Sequence, residues 1–315
     1  MNGRWMLAMV MYAIARRSFG AAARQAALPF NANLTSPLPT SELAALIHSA
    51  NTGGAEAQYR LGVLGLVGKL GPVGRKKCRL LLAAAAMQNH SGACFVLGML
   101  YQHGALIALD RTKAAHLFQR AASSGHARAQ NALAQLMLIG NGVVRDKSGA
   151  IDWFEAAVAQ GLPEAKANLG AVFIHDRGAA TERGMALMMD AAENGIMDAQ
   201  HFLGLHHYTN VRVPQDIDAA YKWYGMAVDR GLPTAQYNLA LLMLRPVDER
   251  FNPVTALKWL LVVATSRNAV LRQAAGKAID HLAPQLSPAD VASATEAALT
   301  WRQQLKPASP PRPNL

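Results

Sequence analysis

The sequence lacks the short motifs that mark common catalytic centres. It contains no Gly-x-Ser-x-Gly nucleophile motif and no Cys-x-x-Cys pair. The stretch Gly62–Lys69 is partly similar to a phosphate-binding loop, but its glycine spacing is one residue too long and Leu70 replaces the required Ser or Thr. His201, His206 and His207 are five and one residues apart, whereas paired zinc ligands on one helix favour a spacing of four. We therefore expect a protein that is not an enzyme and that uses no metal and no cofactor.

The N-terminal apolar run is too short to cross a bilayer. Trp5–Ala15 comprises 11 residues, and a spanning helix needs about 20. Four arginines lie in residues 1–27, where there is no acid: Arg4, Arg16, Arg17 and Arg24. This composition fits a secretory signal with a cleavage site at Ala13-x-Ala15, a mitochondrial presequence, or an uncleaved interfacial anchor. We favour an exported or envelope-associated protein, with a mitochondrial location as the alternative.

Aromatic residues are scarce and positive charge is unevenly placed. Residues 91–300 contain 18 basic and 18 acidic residues, whereas residues 51–90 alone carry a net charge of +5. A basic patch accounts for this excess: Lys69, Arg75, Lys76, Lys77 and Arg79. Such a patch could bind an anionic membrane surface, an acidic protein or nucleic acid, or could be a solvated loop and first helical turn. We expect no nucleic acid, because no aromatic residues interleave with the charges as they do in proteins that stack bases.

What the sequence does contain is a tandem repeat of about 36 residues. Glycines that end a helix fix its register, since Gly125, Gly161, Gly195 and Gly231 are separated by 36, 34 and 36 residues. Extending the register one step at each end gives six units from about residue 55 to residue 268. A period of this length is typical of stacked supersecondary units rather than of one closed core.

Each unit is predicted to form two antiparallel helices. The first carries Ala, Gln, Leu and Gly or Ala at fixed offsets, as in Ala199, Gln200, Leu203 and Gly204. Glycine in a helix interior costs roughly 1 kcal/mol relative to alanine, so its recurrence indicates close packing. The second helix is preceded by an N-cap residue in four units: Asp110, Asp146, Asp216 and Asn252. It then places an apolar pair towards the core, and Trp153, Trp223 and Trp259 are predicted core residues because they recur at one repeat position.

This pattern resembles the Sel-one-like repeat (SLR) family, a relative of the tetratricopeptide repeat. The resemblance rests on the Leu-Gly of the first helix, the Gly-x-Gly loop at Gly140 and Gly142, the Asp before the second helix, and the terminal Ala-Ala-x-x-Gly. It implies an all-α, right-handed α-solenoid of about six helix-turn-helix repeats with a C-terminal helical cap. Cys78 and Cys94 are expected near opposite ends of antiparallel helices, beyond the roughly 7 Å between Cα atoms that a disulfide allows, and hence as free thiols.

The predicted organisation has four parts. Residues 1–41 form a targeting or anchor segment with a linker, residues 42–268 form the solenoid, residues 269–305 form two capping helices, and residues 306–315 form a disordered proline-rich tail. Ser287, Pro288 and Asp290 predict the start of the last helix.

The resemblance implies a non-catalytic scaffold or adaptor that binds a partner protein along the concave face of the solenoid. The first helices line that face in this architecture, and five side chains there are predicted to contact the partner: Arg60, Asn131, Asn168, Phe202 and Asn238. Two alternatives are a membrane-recruitment module that uses the basic N-terminal end, and a β-lactamase-like hydrolase, since some family members have been linked to β-lactam hydrolysis.

Overall fold

The computed structural model describes residues 39–67, 71–209, 216–246 and 250–305; in residues 71–76 and 305 only the backbone is described. The predicted targeting segment up to residue 38 and the predicted tail at residues 306–315 lie outside these ranges, as does Lys69. In the described ranges the regular structure is helical throughout, with no strand. The predicted all-α fold of repeated helix pairs is confirmed.

The chain forms two compact units, one ending at Leu187 and the other beginning at Met188. From residue 39 onwards, the described part of the first unit contains eight complete helices: α1 (Thr40–Asn51), α2 (Ala55–Leu66), α3 (Gly71–Met87), α4 (Ser91–His103), α5 (Arg111–Ser123), α6 (Ala127–Ile139), α7 (Lys147–Ala159) and α8 (Pro163–Asp176). The boundary falls inside α9 (Thr181–Glu193). The second unit continues with α10 (Met197–Thr209), α11 (Ile217–Asp229), α12 (Pro233–Met243), α13 (Pro253–Val263), α14 (Ala269–Leu282), a short 3-10 turn (Ala283–Gln285) and α15 (Pro288–Leu305).

The helix ends lie where the repeat pattern predicts them. The side chains of Asp110, Asp146, Asp216 and Asn252 each accept a hydrogen bond from the backbone amide three residues later, at 2.9–3.0 Å. These bonds satisfy first-turn amides that have no partner within the helix. The chain leaves four second helices, α5, α7, α9 and α11, through a left-handed glycine: Gly125, Gly161, Gly195 and Gly231 all have φ near +80°. At these N-cap residues and glycines, the start or end of a second helix can be predicted from the sequence.

Glycines in the first helices let the second helices approach closely. A Cβ atom on Gly98 would lie 2.7 Å from the Phe118 ring, and one on Gly204 would lie 2.6 Å from the Tyr224 ring. Both rings are fully buried. The predicted packing role of these glycines is confirmed, because any larger side chain would overlap the aromatic ring of the paired helix.

The apolar pair of each second helix is buried unequally. The second position is completely buried in all six units, where it is occupied by Leu82, Phe118, Phe154, Met188, Tyr224 and Leu260. Trp223 and Trp259, at the first position, are also buried, as predicted. Trp153 is only half-buried, so its prediction as a core residue is corrected. Its indole packs against the edges of two hydrophobic clusters, one that contains Phe118 and one that contains Phe154, rather than inside either of them.

In three units a glutamine joins the first helix to the preceding helix. Gln58 donates from Nε2 to the Ala50 carbonyl oxygen at 3.2 Å, and Gln130 donates in the same way to Ala122 at 3.3 Å. Gln200 does so within the second unit of the chain. These bonds give a second donor to carbonyl groups near helix C-termini, each of which also accepts the backbone amide three residues later.

Cys94 occupies the position of this glutamine in the second repeat. Its thiol donates weakly to the Ala86 carbonyl at 3.8 Å, and Arg120 donates to the same oxygen at 2.5 Å. Arg120 thus supplies the bond that the glutamine makes elsewhere. Cys78 and Cys94 are both buried and neither forms a disulfide, as predicted. Burial raises the pKa of the Cys94 thiol.

The two predicted C-terminal helices are present and pack against α13. Ser287 accepts a hydrogen bond from the Asp290 amide at 3.1 Å, and α15 begins between them, as its sequence predicts. Trp301 of α15 meets Trp259 of α13 edge to face at 5.3 Å between ring centroids. This contact covers apolar surface on α13.

Candidate functional site

The candidate site is the surface of the first helices that faces away from their paired second helices, which we call the first-helix face. In the first compact unit it belongs to α2, α4, α6 and α8, and in the second to α10 and α12. Buried Ala, Leu and Gly on the opposite side of these helices form the packing layer. The remaining positions differ from repeat to repeat, and the five predicted contact residues lie among them.

Two of these residues contact each other in the first unit. Asn168 of α8 donates from Nδ2 to Oδ1 of Asn131 on α6 at 2.8 Å. Asn131 is half-buried, whereas Asn168 is only 8% exposed. Asn131 therefore presents the accessible part of this pair, and Asn168 holds its amide in place.

Arg60 lies on α2 and forms an ion pair with Glu42 of α1 at 3.3 Å. Both side chains are partly exposed, so water screens the pair and it contributes little stability. The sequence reasoning did not predict Glu42 as a neighbour, because the two residues belong to different helices and are 18 positions apart.

The second unit repeats the amide arrangement with a histidine. Asn238 of α12 donates from Nδ2 to Nε2 of His201 on α10 at 2.9 Å and lies 3.5 Å from the Tyr224 hydroxyl. Since an amide nitrogen can only donate, Nε2 accepts in this arrangement. Asn131–Asn168 and His201–Asn238 are both 37 residues apart, so the two polar pairs occupy equivalent positions in different repeats.

Phe202, the remaining predicted contact residue, is almost completely buried. It is 6% exposed, and its ring stacks on His206 at 6.1 Å between centroids. Burial, followed by the neighbouring His207, lowers the pKa of His206. Little of the Phe202 ring is open to a partner, and its contact role stays a prediction.

Two residues of the face were missed by the sequence reasoning. Gln135, one turn after Asn131, is buried, and its Nε2 has no hydrogen-bond partner among the described residues. Leu241, three residues after Asn238, is 40% exposed. Helical spacing of three and four from the two asparagines is the signal that could have identified them.

The basic patch is only partly described. Lys77 and Arg79 on α3 are exposed. Arg75 and Lys76 belong to the same helix by their backbone. Metal-binding clusters of three or more His, Cys, Asp or Glu side chains are absent from the described residues. Within the same ranges, every helix is too short or too polar to traverse a bilayer.

Repeated helix pairs with N-caps, left-handed glycines and glycine–aromatic contacts define a helical-repeat protein. The Sel1 repeat family matches at residues 55–90, 91–126, 127–162, 198–232 and 233–261. The chain therefore belongs to the Sel1 repeat family, whose members are generally non-catalytic scaffolds and typically bind other proteins. The interval between residues 162 and 198, which contains the predicted fourth repeat, is not matched. There Arg177 adopts the left-handed conformation that Gly140 adopts one unit earlier, and the repeat is two residues shorter.

Solved structures show the same fold. A protective antigen of uropathogenic Escherichia coli with an SLR fold, c5321, aligns over 99% of this chain with a TM-score of 0.71 and 22% identity. The chain spans 66% of that antigen's length. A Sel1 repeat protein from Oxalobacter formigenes aligns over 73% of this chain and 99% of its own, with a TM-score of 0.60 and 24% identity. No curated protein matches the chain.

Proposed function

We propose that this chain is a non-catalytic adaptor that binds a partner protein along the first-helix face, the concave face of the predicted solenoid. The observation that carries the proposal is the pair of equivalent polar contacts, Asn131–Asn168 and His201–Asn238. The family's typical role in protein binding supports the same function.

The variation between repeats supports a binding role for these positions. Residues equivalent to Asn131 and His201 are Tyr59, Phe95 and Tyr237 in other units. The residue type varies more here than among the recurring alanines and leucines beneath, and in some units the position is filled by a buried aromatic residue, as at Tyr59 and Phe95. Where the position is half-buried and carries an oriented amide, as at Asn131, it can specify a partner through its remaining hydrogen-bonding capacity.

Asn131 and Asn238 are the best positions to test because both are half-buried and therefore accessible. In a double variant, Asn131→Lys and Asn238→Lys, a long charged side chain would replace an amide in each compact unit. The control is Asp152→Lys and Asp229→Lys, which introduces the same two lysine side chains, with a larger change in net charge, at exposed positions of the second helices α7 and α11. Circular dichroism would establish that both proteins remain folded.

The full-length wild type and the two variants would be used to capture partners from native lysate, followed by mass spectrometry and titration of each captured protein. We expect a partner that binds the wild type and the Asp control with equal affinity and binds the Asn variant at least tenfold more weakly. A partner that distinguishes the Asp control but not the Asn variant would contradict the assignment of the face.

A further inference from the structure

The outer face of α3 exposes two large apolar side chains. Leu80 is 62% exposed and Met87 is 81% exposed. They are seven residues apart, which is two helical turns, so they lie on the same side of the helix with Ala84 between them. We call Leu80, Ala84 and Met87 the α3 stripe.

Other second helices carry polar or small residues at the equivalent exposed positions. The repeat register aligns Leu80 and Met87 with His116 and Ser123 in α5, Asp152 and Ala159 in α7, and Lys222 and Asp229 in α11. The outer surface of a second helix faces water in these repeats, and their residues fit that environment. The α3 stripe departs from this pattern at both positions, so solvent exposure alone does not account for it.

Positive charge flanks the stripe. Lys77 and Arg79 are exposed and lie on opposite sides of Leu80, roughly 60° and 100° around the helix. The 17 residues of α3 include four basic residues and no acid. This helix therefore combines an apolar outer stripe with basic borders, the arrangement of helices that lie in the plane of a membrane interface.

We propose that the outer face of α3 binds an anionic lipid bilayer, with Leu80 and Met87 inserted at the level of the headgroups and Lys77 and Arg79 against lipid phosphate and carboxylate groups. The positive charges of Lys77 and Arg79 favour anionic lipid. The apolar α3 stripe favours a binding surface with an apolar interior, such as a bilayer. A nucleic acid would attract the same cations but would leave Leu80 and Met87 in water. The proposal is independent of the first-helix face.

Vesicle co-sedimentation of the full chain tests the proposal. The probes are vesicles of phosphatidylcholine alone and of phosphatidylcholine with phosphatidylserine, each at physiological and at high salt. We expect binding to the anionic vesicles that weakens at high salt. Each basic residue near an anionic surface contributes roughly fivefold to the partition coefficient, so Lys77→Glu with Arg79→Glu should lower it by about 30-fold or more. Leu80→Ser with Met87→Ser leaves the charge unchanged and should lower it at least tenfold.

Control variants show whether an effect depends on where the substitutions lie or only on the overall change in charge and hydrophobicity. Lys277→Glu with Arg302→Glu makes the same change in charge at exposed sites on α14 and α15, and Ile139→Ser with Val144→Ser removes two exposed apolar side chains elsewhere. Both controls should sediment like the wild type. Loss of binding in the charge variant but not in the Leu80/Met87 variant would overturn the proposal in favour of a purely electrostatic contact. Binding that resists both α3 variants, or no binding to the anionic vesicles, would also overturn it.

Discussion

Replacing Gly204 with alanine should destabilise the second compact unit, although alanine is the better helix former. Gly204 lies in the interior of α10, where a Cβ atom would lie 2.6 Å from the buried Tyr224 ring. An ordinary contact at this position would be about 1 Å longer. The ring is fully buried and surrounded by other helices, so it cannot move away without disturbing them.

Gly225 on α11 provides an internal reference. It is also in a helix interior, but a Cβ atom there meets nothing within 4 Å. Both substitutions gain the same helix propensity, up to roughly 1 kcal/mol. The difference in unfolding free energy between Gly204→Ala and Gly225→Ala therefore isolates the cost of overpacking, which is about 1–3 kcal/mol.

Equilibrium urea unfolding followed by circular dichroism would measure both variants against the wild type. We expect Gly225→Ala to be at least as stable as the wild type and Gly204→Ala to be the less stable of the two by that margin. Equal stability of the two variants would refute the argument that glycine is required at the helix–helix contact.

Two further predictions concern the first unit. Burial lowers the pKa of His126 below its ordinary value of 6.5, and its Nδ1 accepts the Ala129 amide. Folding thus favours the neutral imidazole. The stability that this preference contributes is complete above pH 6.5 and is lost as the pH falls through the lowered pKa of His126 in the folded protein. Urea unfolding across this range should show that His126→Asn, which retains a capping oxygen, loses stability less steeply on acidification than the wild type; parallel curves would contradict this. Separately, Phe154→Ala should cost about 3–5 kcal/mol in unfolding free energy, and Trp153→Ala should cost less because the indole is half-exposed. Urea midpoints in the reverse order would show that the burial of the two side chains does not govern their contributions.

The helix boundaries were predictable because single residues determine them locally. Asp146 caps a helix through its own side chain, and Gly161 ends one through its backbone conformation. Neither effect needs knowledge of the rest of the chain. The close approach at Gly204 was predictable for a related reason, since a glycine that recurs in helices against its propensity implies a contact.

Side-chain contacts between repeats were not predictable in the same way. Asn131 meets Asn168, and Asn238 meets His201, only because neighbouring first helices pack with a 37-residue offset. The 36-residue period does not specify that offset. The burial of Phe202 was missed for the same reason, because it depends on the packing around α10 rather than on its own amphipathic pattern.

The substitution at Cys94 has a consequence for how the repeats can be rearranged. The residue that weakens the joint with the preceding helix, Cys94, and the residue that restores its hydrogen bond, Arg120, both belong to the unit 91–126. A single unit therefore contains both the cysteine that weakens this hydrogen bond and the arginine that replaces it. This unit could be duplicated, moved or exchanged as one cassette and would bring its own joint with it, whereas replacement of α5 alone by a second helix without this arginine would leave the carbonyl oxygen of the preceding helix with only the weak thiol as its side-chain donor.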